Sequence, residues 1–213
     1  MLDMKTLFNS RVDGMLISLS RETATFDHIE SMLAKGVPMV FLDRVFDHPN
    51  SSKIIVDDFS GAKEATLHLI DQGCKRVAHI EGSPNLVITK QRLEGYLEAH
   101  KERGLKVDKS LIFPCPEASI EAGKAVTQKI LEAGNPPDGI FATNDPVAMG
   151  AMQAVRAKGL KIPGDIAVVG FSNWLFSSMM DPPLSSVDQP GFEMGQEATK
   201  LLIRQIELKS KEN

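Results

Sequence analysis

The sequence predicts an α/β fold of parallel, doubly wound sheets, and three observations carry that reading. Helical patterns close on a glycine five times, a short apolar run begins a few residues after each closure, and the runs are continuously apolar rather than alternating. Glycine just past a helix takes the left-handed conformation without Cβ strain, so the chain can turn back. A strand apolar on both faces suits a parallel sheet covered by helices on either side.

In chain order, Gly14-Met15-Leu16-Ile17 is the first strand-like run. The closure Leu33-Ala34-Lys35-Gly36 precedes Pro38-Met39-Val40-Phe41-Leu42, and Lys53-Ile54-Ile55-Val56 follows. Ile70-Asp71-Gln72-Gly73 leads to Val77-Ala78-His79-Ile80, and Lys101-Glu102-Arg103-Gly104 to Leu111-Ile112-Phe113. Leu131-Glu132-Ala133-Gly134 leads to Gly139-Ile140-Phe141-Ala142, and Arg156-Ala157-Lys158-Gly159 to Ile166-Ala167-Val168-Val169-Gly170. A short run over 184–187 and an amphipathic helix over 193–209 complete the pattern. Two helix starts carry adjacent polar residues. Asp57-Asp58 reads as a strand end with Asp58 as the N-cap. Asp145-Pro146 reads as an N-cap followed by proline at the first helical position.

Composition bounds the function. The 213 residues are 42% hydrophobic and 24% charged, enough apolar material for a core, which excludes disorder and a disulfide miniprotein. Lys and Arg number 24 against 28 Asp and Glu, a net charge of −4. Such a chain lacks the positive footprint that dominates nucleic-acid affinity, so any DNA contact falls to another segment. Cys74 and Cys115 stand apart without a C-x-x-C pair and read as reduced thiols. No run approaches the ~20 apolar residues of a membrane span. The start Met1-Leu2-Asp3-Met4-Lys5 carries no secretory pattern, so the expected address is the cytoplasm.

In open parallel sheets the ligand sits beyond the carboxyl ends of the strands, where helix N-termini also point. The residues that follow the runs are Asp43 and Arg44; Glu81, Gly82 and Ser83, with a loop leading to Arg92; Thr143, Asn144 and Asp145; Ser172, Asn173 and Trp174; and Asp188 and Gln189. Two amides, a carboxylate and an arginine suit a neutral, polyhydroxylated ligand, because they satisfy hydroxyls in directed pairs. Arg92 shares the set with the carboxylate of Asp43, which also argues against a strongly anionic ligand. Catalytic signatures are missing: no G-x-G-x-x-G, no phosphate-cradling P-loop and no G-x-S-x-G elbow. The five histidines stand singly without metal-ligand spacing, and His79, inside a strand run, reads as a satisfied core imidazole. No cofactor, metal or enzymatic activity is expected.

Six ordered motifs then become a resemblance. Arg11-Val12-Asp13-Gly14-Met15-Leu16-Ile17, Val40-Phe41-Leu42-Asp43-Arg44 and Arg92-Leu93-Glu94-Gly95-Tyr96 resemble segments of LacI/GalR-family bacterial transcription regulators. So do the segments 142–151, beginning Ala142-Thr143-Asn144-Asp145, 162–171, beginning Ile162-Pro163-Gly164-Asp165, and 183–190, beginning Pro183-Leu184-Ser185-Ser186. The resemblance implies a type I periplasmic-binding-protein-like fold: two doubly wound subdomains, here 1–74 plus 190–213 and 75–189, with a ligand cleft between them. It carries the ligand-binding role onto Asp43, Arg92, Asn144, Asn173 and Gln189. It implies a small-molecule effector, a sugar or polyol, and a homodimer. Operator DNA would be bound only through a headpiece absent from this chain, and no membrane is involved. A solute-binding protein of a sugar transport system shares the fold and is the alternative. Against the family pattern the chain reads as clipped at both ends. The run 14–17 is therefore expected to form a poorly protected sheet edge, with Met15 and Ile17 losing one cover and Leu16 the other.

Overall fold

The computed structural model describes residues 2–23 and 25–212. Two compact units emerge, Met1–Val56 with Pro190–Asn213, and Asp57–Gln189. In the first lie α1 (Leu2–Asn9), β1 (Met15–Ile17), α2 (Asp27–Ala34), β2 (Met39–Leu42) and β3 (Ser52–Ile54). The second runs through α3 (Asp58–Asp71), β4 (Val77–Glu81), α4 (Val87–Glu102), β5 (Ile112–Pro114), α5 (Ile120–Glu132), β6 (Gly139–Ala142), α6 (Asp145–Ala157), β7 (Ala167–Ser172) and β8 (Ser185–Asp188). The long α7 (Gly191–Glu212) belongs again to the first unit.

Both sheets are wholly parallel, in the order β1-β2-β3 and β5-β4-β6-β7-β8. The α/β class and the two parallel-sheet units read from the sequence are therefore present. All five closing glycines (Gly36, Gly73, Gly104, Gly134, Gly159) take positive φ, between 64° and 101°. Among the described residues, no helix is long and apolar enough to cross a membrane.

The boundary of the units falls after Val56, not after residue 74 as the sequence reading had it. The reason is α3. Its Gly61 is pressed against Phe171 and Val187 of the five-stranded sheet, where a Cβ would come within 3.0 Å of each. Its Ala62, Ala65 and Leu69 enter one core cluster with Val77, Tyr96, Phe141 and Phe171. The helix follows the strands of the first unit in sequence but buries its apolar stripe on the second.

Small residues bring the second unit's helices into backbone contact. A Cβ on Gly95 of α4 would lie 2.8 Å from Lys63 N of α3, and one on Gly123 of α5 would lie 2.8 Å from Val147 Cα of α6. Gly150 of α6 abuts Ile120 O and Lys124 N in the same way. Facing these helices is a sheet whose central strands are buried on both sides: Ala78 and Ile80 join one cluster, Val77, Phe141 and Val169 the other.

The first unit has one such cluster, Met15, Ile17, Ile29, Met32, Met39, Phe41 and their neighbours. Among the described residues β1 pairs only with β2, so it is a sheet edge, as expected. Leu16 is 42% exposed, but Met15 and Ile17 remain buried at 4% and 8%. They keep their cover because α1 and α2 supply Phe8, Ile29 and Met32 on that face.

Candidate functional site

The second unit gathers its polar residues at the carboxyl ends of its strands, and the parallel register explains how. Ile80 pairs with Ala142, Phe141 with Val169, and Ser172 with Asp188, so Glu81, Thr143, Asn173 and Gln189 all emerge from one edge of the sheet. Four of the five residues expected to hold ligand lie here: Arg92, Asn144, Asn173 and Gln189. The fifth, Asp43, directly follows β2 of the first unit and takes a positive φ of 61°. An aspartate tolerates this left-handed position better than most residues, and its carboxylate lies 3.6 Å from Arg44 Nε.

Asn144 is the N-cap of α6. Its Oδ1 accepts from Val147 N at 2.9 Å, and its Nδ2 donates to Ala118 O at 3.3 Å. The sequence reading gave that cap to Asp145, and the structure corrects it. Asp145 is fully buried. Its Oδ2 accepts from Trp174 N and Ser177 Oγ, both at 2.6 Å, and its Oδ1 accepts from Ser186 Oγ at 2.5 Å. That single carboxylate ties the start of α6 to the loop after β7 and to β8. Buried charge of this kind persists only when such donors surround it.

The loop after β7 needs the tie. Ser172 and Asn173 both take positive φ, 109° and 51°, a conformation that costs roughly 1–3 kcal/mol per non-glycine residue. Asn173 N donates to Ser186 Oγ at 3.0 Å, and its Nδ2 donates to Asp188 Oδ1 at 2.8 Å. Ser172 Oγ donates to Gln189 Oε1 at 2.5 Å. Asn173 and Gln189 are thus held in place by neighbours on the same edge.

Arg92 is the cation of the set. It is 3% exposed, not the surface residue that its helical position would allow. Its Nε and Nη2 both donate to Asp58 Oδ1, at 2.8 and 2.6 Å, its Nη1 donates to Thr143 O, and its guanidinium carbon lies 3.7 Å from the centre of the Phe171 ring. Asp58 was expected to cap α3. Asp57 does so instead, accepting from Ser60 N at 2.9 Å, and Asp58 turns inward to Arg92. The backbone donation from Ser60 holds the Asp57 carboxyl below the usual range. Glu81, at the end of β4, is pushed the other way by burial.

His79 is buried in β4, with Nδ1 on Phe141 O at 3.1 Å and its ring stacked on Tyr96 and Phe141. The reading of a core imidazole holds, but its satisfaction is half complete: Nε2 has no hydrogen-bond partner among the described residues. Burial, with a smaller contribution from the Arg92 charge, pushes its pKa down to about 4.

The architecture and strand-end chemistry match a known family. A periplasmic binding protein-like domain model matches residues 66–213. The ribose operon repressor of Halalkalibacterium halodurans is 34% identical over 206 residues, covering 97% of this chain and 59% of that protein. This chain belongs to the LacI/GalR family, as a periplasmic-binding-protein-like domain. The crystal structure of the regulator CcpA of Lactococcus lactis superposes with a TM-score of 0.88 at 28% identity, over 96% of this chain and 74% of that one. The regulator CelR in complex with cellobiose does so with 0.86 at 32% identity, over 96% and 62%. The chain spans about 59% of the length of the curated repressor it matches. These relatives are repressors and regulators, in line with the absence of catalytic motifs.

Proposed function

We propose that this chain is the effector-sensing domain of a LacI-type transcription regulator acting in the cytoplasm, and that its effector is a neutral sugar or polyol. Arg92, Asn144, Asn173 and Gln189 are its ligand-binding residues in the second unit, and Asp43 is the fifth, from the first unit. The observation that carries this reading is the strand-end set itself. Its three amides are already oriented by hydrogen bonds along one edge, which lowers the ordering cost of gripping several hydroxyls. Two relatives point the same way: one is named for a ribose operon, the other is complexed with cellobiose. Effector binding would favour one conformation of the domain and so bias operator affinity. The operator itself would be contacted by a headpiece beyond this chain, which carries a net charge of −4. We propose a homodimer as well, supported by the exposed apolar residues Leu175, Phe176 and Met179; a monomeric mass by light scattering at micromolar concentration would refute it.

A thermal-shift panel that includes D-ribose and cellobiose tests the ligand class, because a ligand that binds only the folded chain raises its melting temperature. Asn144→Ser keeps a capping oxygen at α6 while removing the amide, and should weaken saccharide binding about tenfold with the fold intact. A panel in which nucleobases stabilise the chain and no saccharide or polyol does would overturn the proposed class.

A further inference from the structure

The effector-site reading leaves Asp58 without a part, although it holds the site's main cation. We propose that Asp58 sets the charge of the ligand: its buried ion pair with Arg92 makes the site accept uncharged, hydroxyl-bearing molecules and reject phosphorylated ones. This inference rests on the effector-site reading and adds to it the residue that enforces selectivity.

A guanidinium grips phosphate best through two parallel N–H groups on one edge. In Arg92 that edge, Nε with Nη2, is turned onto a single carboxylate oxygen of Asp58, at 2.8 and 2.6 Å. The remaining nitrogen, Nη1, donates to Thr143 O, and the face of the group lies on Phe171. Both members of the pair are 3% exposed, so water screens neither charge and the pair presents itself to a ligand as a dipole rather than as a cation. A phosphate reaching Arg92 would have to displace a buried carboxylate or lie against it. A hydroxyl carries no charge to oppose the carboxylate, and it can donate to it while accepting from the guanidinium.

The surroundings do not reverse this balance. Glu81 and Asp188 end the neighbouring strands, and buried Asp145 begins α6. Lys90, two residues before Arg92 on α4, has a side chain 78% exposed and lies 3.9 Å from Glu94. Removing the charge of Asp58 is therefore the smallest change that would leave a net positive centre at these strand ends.

Calorimetry and thermal shift on the full chain, with D-ribose, D-ribose 5-phosphate and inorganic phosphate against chloride of equal ionic strength, test the proposal. The wild-type chain should show no phosphate-specific stabilisation, and Asp58→Asn should gain at least ~10-fold in affinity for inorganic phosphate and for the phosphorylated sugar. Wild-type binding of inorganic phosphate that Arg92→Lys abolishes would overturn it, as would a folded Asp58→Asn with no gain. Should Asp58→Asn fail to fold, Asp58→Ser repeats the test with a smaller neutral acceptor. If neither variant folds, the wild-type phosphate measurement decides alone. Failure of every sugar to bind would count against the effector class, while the phosphate arm still reports on Asp58.

Discussion

The two units are built from the same alphabet of parallel strand, helix and closing glycine, yet they hold together differently. In the second, the central strands of a five-stranded sheet carry core on both faces, and the helix pairs α3–α4 and α5–α6 approach so closely that glycine is required at Gly95, Gly123 and Gly150. In the first, only β1 and β2 of the three strands contribute to its one apolar cluster, β1 is an edge, and α7 buries only Met194 and Ala198 of its described residues. Interdigitated layers tolerate almost no added volume, whereas a loosely covered sheet does. Four of the five proposed ligand residues sit on the densely packed unit. Density there protects the geometry of strained residues such as Ser172 and Asn173, which a softer frame would let relax.

The sharpest way to break the comparison is Gly150→Ala. A methyl group at 150 would press on Ile120 O and sit 2.6 Å from Lys124 N, both backbone atoms that cannot rotate away. The cost should reach about 3 kcal/mol, the upper part of the range for overpacked cores, measured as lost stability in urea. A variant within ~0.5 kcal/mol of wild type would mean that α5 and α6 slide apart freely and that the second unit is not the rigid one.

Acid probes the same unit from its interior. His79 titrates near 6.5 when unfolded and at about 4 when buried, so the unfolded chain binds the proton first. Stability is intact above pH 6.5 and falls as the pH drops toward 4, by about 1.4 kcal/mol per unit and so about 2 kcal/mol by pH 5. Carboxylates held low by their partners, such as Asp57 and Asp71, lose their contribution only at lower pH. His79→Phe, which keeps a ring in the stack with Tyr96 and Phe141, should flatten the slope from pH 6.5 to 5. An unchanged slope would place the acid-sensitive group elsewhere.

These two tests lean on details that differ in how legible they were. The strand runs, the closing glycines and the strand-end polar residues could be read directly, because each follows from a local rule about periodicity or φ. The caps could not. At both helix starts two adjacent residues can cap, Asp57-Asp58 and Asn144-Asp145, and in both the first caps while the second turns into the core. Successive residues of a helix point about 100° apart. One of each pair must therefore face inward, and only the folded chain shows the buried partner waiting for it: Arg92 for Asp58, Ser177 and Ser186 for Asp145. The unit boundary was hidden for a similar reason. Nothing local to α3 says that its stripe belongs to the sheet that follows it.

Amide hydrogen exchange sharpens the contrast at the level of single strands. β1 lies at an edge with Leu16 exposed, whereas β7 lies inside its sheet with Val169, Gly170 and Phe171 buried. At low protein concentration the amides of 12–18 should exchange at least ~10-fold faster than those of β7, about 1.4 kcal/mol in opening free energy. Equal protection of both strands in a monomeric sample would show that the edge is covered after all.

The smallest expected effect has the opposite sign from the first and tests the same idea. Gly195 lies inside α7 with ordinary helical φ, and a Cβ there would meet nothing within 4 Å. Glycine inside a helix costs roughly 0.5–1 kcal/mol relative to alanine, since it loses more backbone freedom on folding. With no steric opposition, Gly195→Ala should recover most of that amount and slow exchange along α7 without altering the second unit. The same methyl group is thus predicted to destabilise the chain at 150 and to stabilise it at 195, and the packing around each backbone position is the only difference. A loss of stability from Gly195→Ala would mean that this face of α7 is packed in solution, and the first unit would then be better covered than its three strands imply.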